Sequence, residues 1–217
     1  MEHTCKRYTL GEEIFNSVSH GVGALLGIAG TVILIMLSAI NGSGLALGTS
    51  IVYGISLTML YTMSTLYHAI ASQRAKEILR IFDHTSIFFL IAGSYTPFCL
   101  IALEGNIRGI IVAAIVWVCA ILGIVLNAIS LKKTEKLSLG LYILMGWSVI
   151  MVIKDVIAAL PAPAFWLLLL GGIAYTGGLI FYVIKRKYMH SIWHLFVLTG
   201  SILHFLCIAI YVLPMAY

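Results

Sequence analysis

From Ile14 to Gln73 the chain carries no Asp, Glu, Lys or Arg. A soluble domain cannot sustain such a run, because polar side chains must cover its surface and about a quarter of its residues are ordinarily charged. Over the whole chain only 10% of residues are charged and 61% are hydrophobic. This excludes an ordinary soluble enzyme, a disordered chain and a nucleic-acid-binding domain, so the net charge of +5 is not a nucleic-acid signal. What remains is an integral membrane protein. The apolar segments are too long, and too little alternating, for an outer-membrane barrel. They are therefore helices, which satisfy their own backbone hydrogen bonds in lipid.

Asn41-Gly42-Ser43-Gly44 is the turn signal within the charge-free run and divides it into two helices. A crossing takes about 20 residues. We expect an all-α polytopic bundle of seven transmembrane helices over residues 21–40, 45–71, 80–103, 108–131, 137–158, 164–184 and 190–213, forming one membrane domain over 1–217. Thr9-Leu10-Gly11-Glu12 fits a capping box that opens a short interfacial helix over 9–20, and Gly21 and Gly23 are where that helix would break from the first span. Pro97 predicts a kink in the third span. The first apolar stretch is long enough to span and follows an acidic segment, so it is read as retained and not as a signal peptide.

Eleven of the 13 Lys and Arg fall on one side of this arrangement. They are Lys6 and Arg7; Arg74, Lys76 and Arg80; Lys132, Lys133 and Lys136; and Lys185, Arg186 and Lys187. Arg108 and Lys154 fall on the other. Positive charge marks the cytoplasmic side, so the N-terminus is expected inside and the C-terminus outside. Of the four cysteines, Cys99, Cys119 and Cys207 lie in apolar spans and none forms a C-x-x-C pair with another. Neither a disulfide framework nor a cysteine zinc site is expected.

Ionisable groups inside a span are costly and mark function by default. Here they gather at one level. Ser64 and His68 end the second span, Asp83 and His84 begin the third, His190 and His194 begin the seventh, and Glu13, Asn16 and His20 precede the first. With the N-terminus inside, all lie at the cytoplasmic ends. His190 and His194 stand i, i+4, one turn apart on one helix face, the spacing by which two imidazoles grip one metal ion. Ser191 follows the first of them, so the glutamate base of the H-E-x-x-H pattern is missing. Glu13, Asn16 and His20 also share one face. A third imidazole from the second span makes a His₃ site with one position left for water, the catalytic form of a zinc site. Asp83 would hold that water or take its proton. His204 lies roughly 15 Å further along its helix, too deep for the same site, and is read as an interhelical hydrogen-bonding residue. Asn127 is read the same way, and Lys154-Asp155 as a solvated pair.

Three motifs carry a family resemblance across all seven spans: E-x-x-N-x-x-x-H at Glu13, Asn16 and His20; S-x-x-x-H at Ser64 and His68, followed by Asp83; and H-x-x-x-H at His190 and His194. The strings F-D-H-T-S-I-F and A-G-S-Y-T-P-F add to it. The chain resembles the bacterial haemolysin III family, part of the superfamily of progestin and adiponectin receptors, with alkaline ceramidases as distant relatives. The resemblance implies an intramembrane Zn²⁺ near the cytoplasmic face of a bacterial inner (plasma) membrane, held by His68, His190 and His194. It puts Asp83 and Ser64 in catalytic roles near the bound water. Glu13, Asn16, His20 and His84 would support the site or the fold. The implied partners are membrane lipids, with a fatty acid or lipid in a cavity of the helix bundle. Three functions follow as expectations: a zinc-dependent, ceramidase-like hydrolase of a lipid amide or ester in membrane lipid homeostasis; a pore-forming cytolysin; or a sensor of membrane state with structural zinc.

Overall fold

The computed structural model describes residues 8–217. His3, Cys5, Lys6 and Arg7 lie outside the described residues. α1 runs over Leu10–Ile40 and is opened by the expected capping box: Thr9 Oγ1 accepts from the Glu12 N–H, and the Glu12 carboxylate accepts from the Thr9 N–H. Residues 9–20 and 21–40, written above as an interfacial helix and a first span, join in one continuous helix. The glycines serve close approach instead of a break. A Cβ on Gly23 would stand 2.5 Å from the Tyr61 ring, and one on Gly30 would stand 2.7 Å from Phe205. The buried face of α1 (Asn16, His20, Gly23, Gly27, Gly30, Leu34) recurs every three to four residues. The opposite face shows Val18, Leu25, Leu26 and Val32, all at least half exposed. Small and polar residues inside with large apolar ones outside is the pattern of a helix facing lipid.

α2 (Gly44–Ala69) starts at Ser43, whose side chain accepts from the Ala46 N–H. α3 (Gln73–Pro97) passes at Pro97 into a π turn, Phe98–Ala102. Proline supplies no N–H and its ring crowds the preceding turn, which the wider turn accommodates. α4 (Ile107–Gly146), a 3-10 turn (Ser148–Val152) and α5 (Ile153–Ala159) follow. α6 (Ala162–Val183) opens on prolines, which fit a first turn. α7 (Met189–Cys207) continues as a π turn, Ile208–Val212, and a 3-10 turn, Leu213–Ala216.

Among the described residues there is no strand, and six helical stretches are long and apolar enough to cross a membrane. One of them, Ile107–Ala159, has 53 residues. Straight, it would be about 80 Å long, against a hydrocarbon core of about 30 Å. It is not straight. Ser130 leaves helical geometry at φ −162°, ψ 82°. Asn127 Oδ1 then accepts hydrogen bonds from Thr134 Oγ1 (2.7 Å) and Ser138 Oγ (2.6 Å). Eleven residues along one straight helix would separate Asn127 from Ser138 by about 16 Å. The chain therefore turns back at Ser130, and the buried asparagine ties the two limbs together. Asp155 differs from its expected pairing: it binds Arg108 (2.7 Å), at the start of α4, because adjacent helical residues such as Lys154 point different ways.

The helices pack α3 on α2, α2 on α1, α1 on α7 and α7 on α6, with α4 against α3. Between the second limb of α4 and α6 run two side-chain bridges: Trp147 Nε1–H to Thr176 Oγ1 (3.0 Å) and Tyr182 O–H to Glu135 Oε1 (3.1 Å). This arrangement brings the ends of α2 and α6 and the starts of α1, α3 and α7 to one end of the bundle.

Candidate metal centre

His190 and His194 project from the first turns of α7, and His68 from the last turn of α2. One ring nitrogen of each lies within 4.8 Å of those of the other two. The Nε2 atoms of His190 and His194 are 3.2 Å apart. Two nitrogens bound to one tetrahedral zinc at about 2.0–2.1 Å would be about 3.3 Å apart. His194 is fully buried and His68 is 2% exposed.

The orientation of His68 is set by α1. Its Nδ1–H donates to Glu13 Oε2 at 2.6 Å, and the other carboxylate oxygen takes the Lys76 ammonium, also at 2.6 Å. Asn16 Nδ2 lies 3.5 Å from the same ring nitrogen, but both are donors in this tautomer, so the pair is a contact and not a hydrogen bond. A ring that donates from Nδ1 carries its lone pair on Nε2. That Nε2 is buried and has no hydrogen-bond partner among the described residues. A buried imidazole nitrogen without a partner is costly unless something else takes its lone pair. Carboxylate to imidazole to metal is the arrangement that fixes a ligand's tautomer. The donor set, three imidazoles and no thiolate, suits zinc, and suits other transition metals as well.

α7 is tied to α1 twice. Ser191 Oγ–H donates to Asn16 Oδ1 (2.7 Å), which gives the residue after the first histidine an anchoring role. The Tyr188 N–H donates to Glu12 Oε1 (2.8 Å). Tyr188 has φ 62°, a left-handed conformation that costs energy for a side-chain-bearing residue. The Glu12 carboxylate holds that strained residue two positions before His190. The Tyr8 ring stacks on His190, with centroids 4.8 Å apart. His20 stacks on His194 (3.6 Å, interplanar angle 16°) and meets the edge of Tyr61. It adjoins the group of three without contributing a nitrogen to it.

Asp83 is buried in the first half of α3 and interacts electrostatically with His84, His68 and Ser64. The Ser64 hydroxyl is buried and makes no hydrogen bond of good geometry among the described residues. The candidate site residues named from the sequence, Glu13, Asn16, His20, Ser64, His68, Asp83, His84, His190 and His194, therefore lie at one end of the bundle, and His204 does not. As anticipated, that residue lies deeper, where its Nε2–H donates to the Leu168 carbonyl of α6 (3.1 Å). The sequence reading missed Lys76, which it counted as a topology charge, and the second contact of Glu12. It also missed Tyr8 and the Arg80–Glu135–Tyr182 group. Each of these joins segments distant in the chain and leaves no local pattern.

From His190 a cavity of about 130 Å³ extends between α3, the second limb of α4, α6 and α7. Asp83, His84, Glu135, Tyr182 and His190 line one end; Leu90, Ile91, Leu179, Trp193 and Val197 line much of the rest, with Ser94, Tyr175, Thr176 and His204 among them. The cavity is thus amphipathic, with its polar end at the candidate metal centre.

A family model described as haemolysin-III related matches residues 8–205. "Hemolysin-3" of Bacillus cereus is 43% identical over 206 residues, covering 94% of each chain. "Hemolysin-3 homolog" of Bacillus subtilis (strain 168) is 43% identical over 205 residues, covering 94% of this chain and 96% of the relative. The human "Monocyte to macrophage differentiation factor" is 27% identical over 171 residues, 74% of this chain and 68% of that one. This multi-pass membrane protein belongs to the haemolysin-III related family.

Proposed function

We propose that the protein is a zinc-dependent membrane hydrolase that cleaves a lipid amide or ester. The observation that carries this reading is the junction of two features: three convergent imidazole nitrogens, one of them orphaned, and a mostly apolar cavity that reaches this group at His190. An acyl chain suits the apolar part, and the carbonyl to be attacked then lies at the polar end. Zinc held by His68, His190 and His194 would supply Lewis acidity and lower the pKa of a coordinated water toward about 7. Asp83 takes the proton of the attacking water on its carboxylate and returns it to the departing amine or alcohol. Ser64 Oγ–H donates to that water or to the oxygen on which charge develops. Glu13 keeps the His68 lone pair aimed at the site.

The setting is a single domain of seven spans in the bacterial inner membrane, with the limbs of α4 counted as separate crossings and the N-terminus cytoplasmic. The turn at Ser130 and the one-sided distribution of Lys and Arg support it. A reporter fused after Tyr217 is expected to work only if it must be outside the cytoplasm to be active. A reporter that works in the cytoplasm sinks the topology.

Purified protein incubated with membrane lipid extract is expected to release fatty acid, to lose that activity to a zinc chelator and to regain it with Zn²⁺. His190→Ala/His194→Ala should fall to background. Zinc binding without any release would favour the sensor reading. The names of the Bacillus relatives motivate the remaining alternative, cytolysis. Dye leakage from liposomes that survives the double substitution would favour a pore independent of the metal centre.

A further inference from the structure

Among the buried polar groups of the cavity that the mechanism above leaves unused is His84. His84 is 8% exposed and borders the cavity together with Asp83 and His190. Its Nδ1 faces the Arg80 carbonyl oxygen at 3.0 Å. A carbonyl only accepts, so this nitrogen carries the ring's proton. In the neutral ring the lone pair then sits on Nε2. That atom is buried and without a partner among the described residues. The ring is held on both sides: its tautomer by Arg80, and its backbone by the Tyr142 hydroxyl, which donates to the His84 carbonyl at 2.7 Å. Tyr142 comes from the second limb of α4, so the placement of His84 depends on the turn at Ser130.

An unmet, pre-oriented acceptor at the polar end of a mostly apolar cavity selects for a donor. We propose that His84 is a specificity residue whose Nε2 accepts the N–H of a secondary amide, so that the cavity takes N-acyl lipids in preference to esters. Among the acyl linkages that this centre could cleave, the secondary amide carries a donor on the atom next to the carbonyl carbon. An ester carries none. Sites built to bond a donor reject analogues that lack it, because the site's own group is then buried unpaired. The inference rests on the hydrolase reading for its choice of ligand class but concerns recognition, which can be read without turnover.

Three probes that differ at one atom test it: N-dodecanoylethanolamine, its N-methyl derivative, and 2-hydroxyethyl dodecanoate. All carry the same chain and terminal hydroxyl. Binding to the full chain in detergent is read by tryptophan fluorescence, since Trp147 and Trp193 line the cavity, with fatty-acid release followed in parallel. The expected result is about tenfold tighter binding of the secondary amide than of either other probe, the worth of one neutral hydrogen bond. In His84→Leu the three affinities should fall within about twofold of one another. In His84→Gln, which keeps an acceptor, part of the preference should return. Equal affinities in the parent, no binding of any probe, or the same preference in His84→Leu would overturn the proposal. The parent comparison stands even if a variant fails to fold. A binding preference without fatty-acid release counts against hydrolysis and not against His84. Release with equal handling of amide and ester counts against His84 alone.

Discussion

Replacing His190 and His194 together by alanine is expected to take the protein from about one zinc ion per chain to less than a tenth of that after dialysis. Structural zinc sites are worth about 10–16 kcal/mol over four ligands, so each ligand contributes roughly 3 kcal/mol, a hundredfold or more in affinity. Losing two nitrogens that stand 3.2 Å apart removes an edge of the coordination polyhedron and cannot be repaired by a rotamer change. His68→Ala removes one ligand and should lower occupancy less, though still clearly. Two controls make the measurement decisive. His204→Ala alters a histidine of the same helix that bonds to Leu168, and should leave the metal in place. His20→Ala removes a ring that stacks on His194 but contributes no nitrogen to the group of three, and should retain most of the metal. Metal analysis of the purified parent and variants checks all of these. Parent-like stoichiometry in the double variant would remove the metal centre, and a His20→Ala loss as deep as that of His68→Ala would redraw its ligand set.

Which parts of this arrangement can be read from the chain follows from the range of the interactions involved. His190 and His194 share a face because of helical periodicity alone, and Thr9–Glu12 is a local cap. Both were legible. The common depth of His68, Asp83 and His190 followed from span ends and basic loops, which are also local. The continuity of α1 was not legible. Glycine reads as a helix breaker in water, and only the Tyr61 ring against Gly23 shows that it serves packing here. The turn at Ser130 was expected as a short loop after 131, yet helical hydrogen bonding resumes at once on either side, since the following lysines and glutamate are good helix formers. The contacts of Glu13 with His68 and Lys76, and of Glu12 with Tyr188, join opposite parts of the chain. The first turn of α1 supplies both carboxylates, but nothing in a single sequence names their partners.

Those carboxylates lead to the second large effect expected. Glu13→Ala should weaken zinc binding by about 10–100-fold, the usual cost of removing the group that holds a metal-ligating histidine. The Glu13 side chain is 16% exposed and the His68 ring fully buried, so solvent cannot readily replace the lost acceptor. Without it the His68 Nδ1–H points at no carboxylate, the ring loses the preference that places its lone pair on Nε2, and the Lys76 ammonium is left beside the site with its charge uncompensated. Both changes act in the same direction: one removes orientation, the other adds repulsion toward a cation. Glu13→Gln should lie between parent and Glu13→Ala, because the amide oxygen can still accept from Nδ1 but brings no negative charge. Lys76→Met removes the competing cation while sparing the Glu13–His68 bond, and should leave affinity unchanged or raise it. Competition with a chromophoric chelator gives the affinities. The visible spectrum of the Co²⁺-loaded protein reports the ligand geometry, which a general loss of stability would not shift. Parent-like affinity and spectrum in Glu13→Ala would mean that His68 needs no carboxylate to hold it, and that the short contact between α1 and α2 serves packing alone.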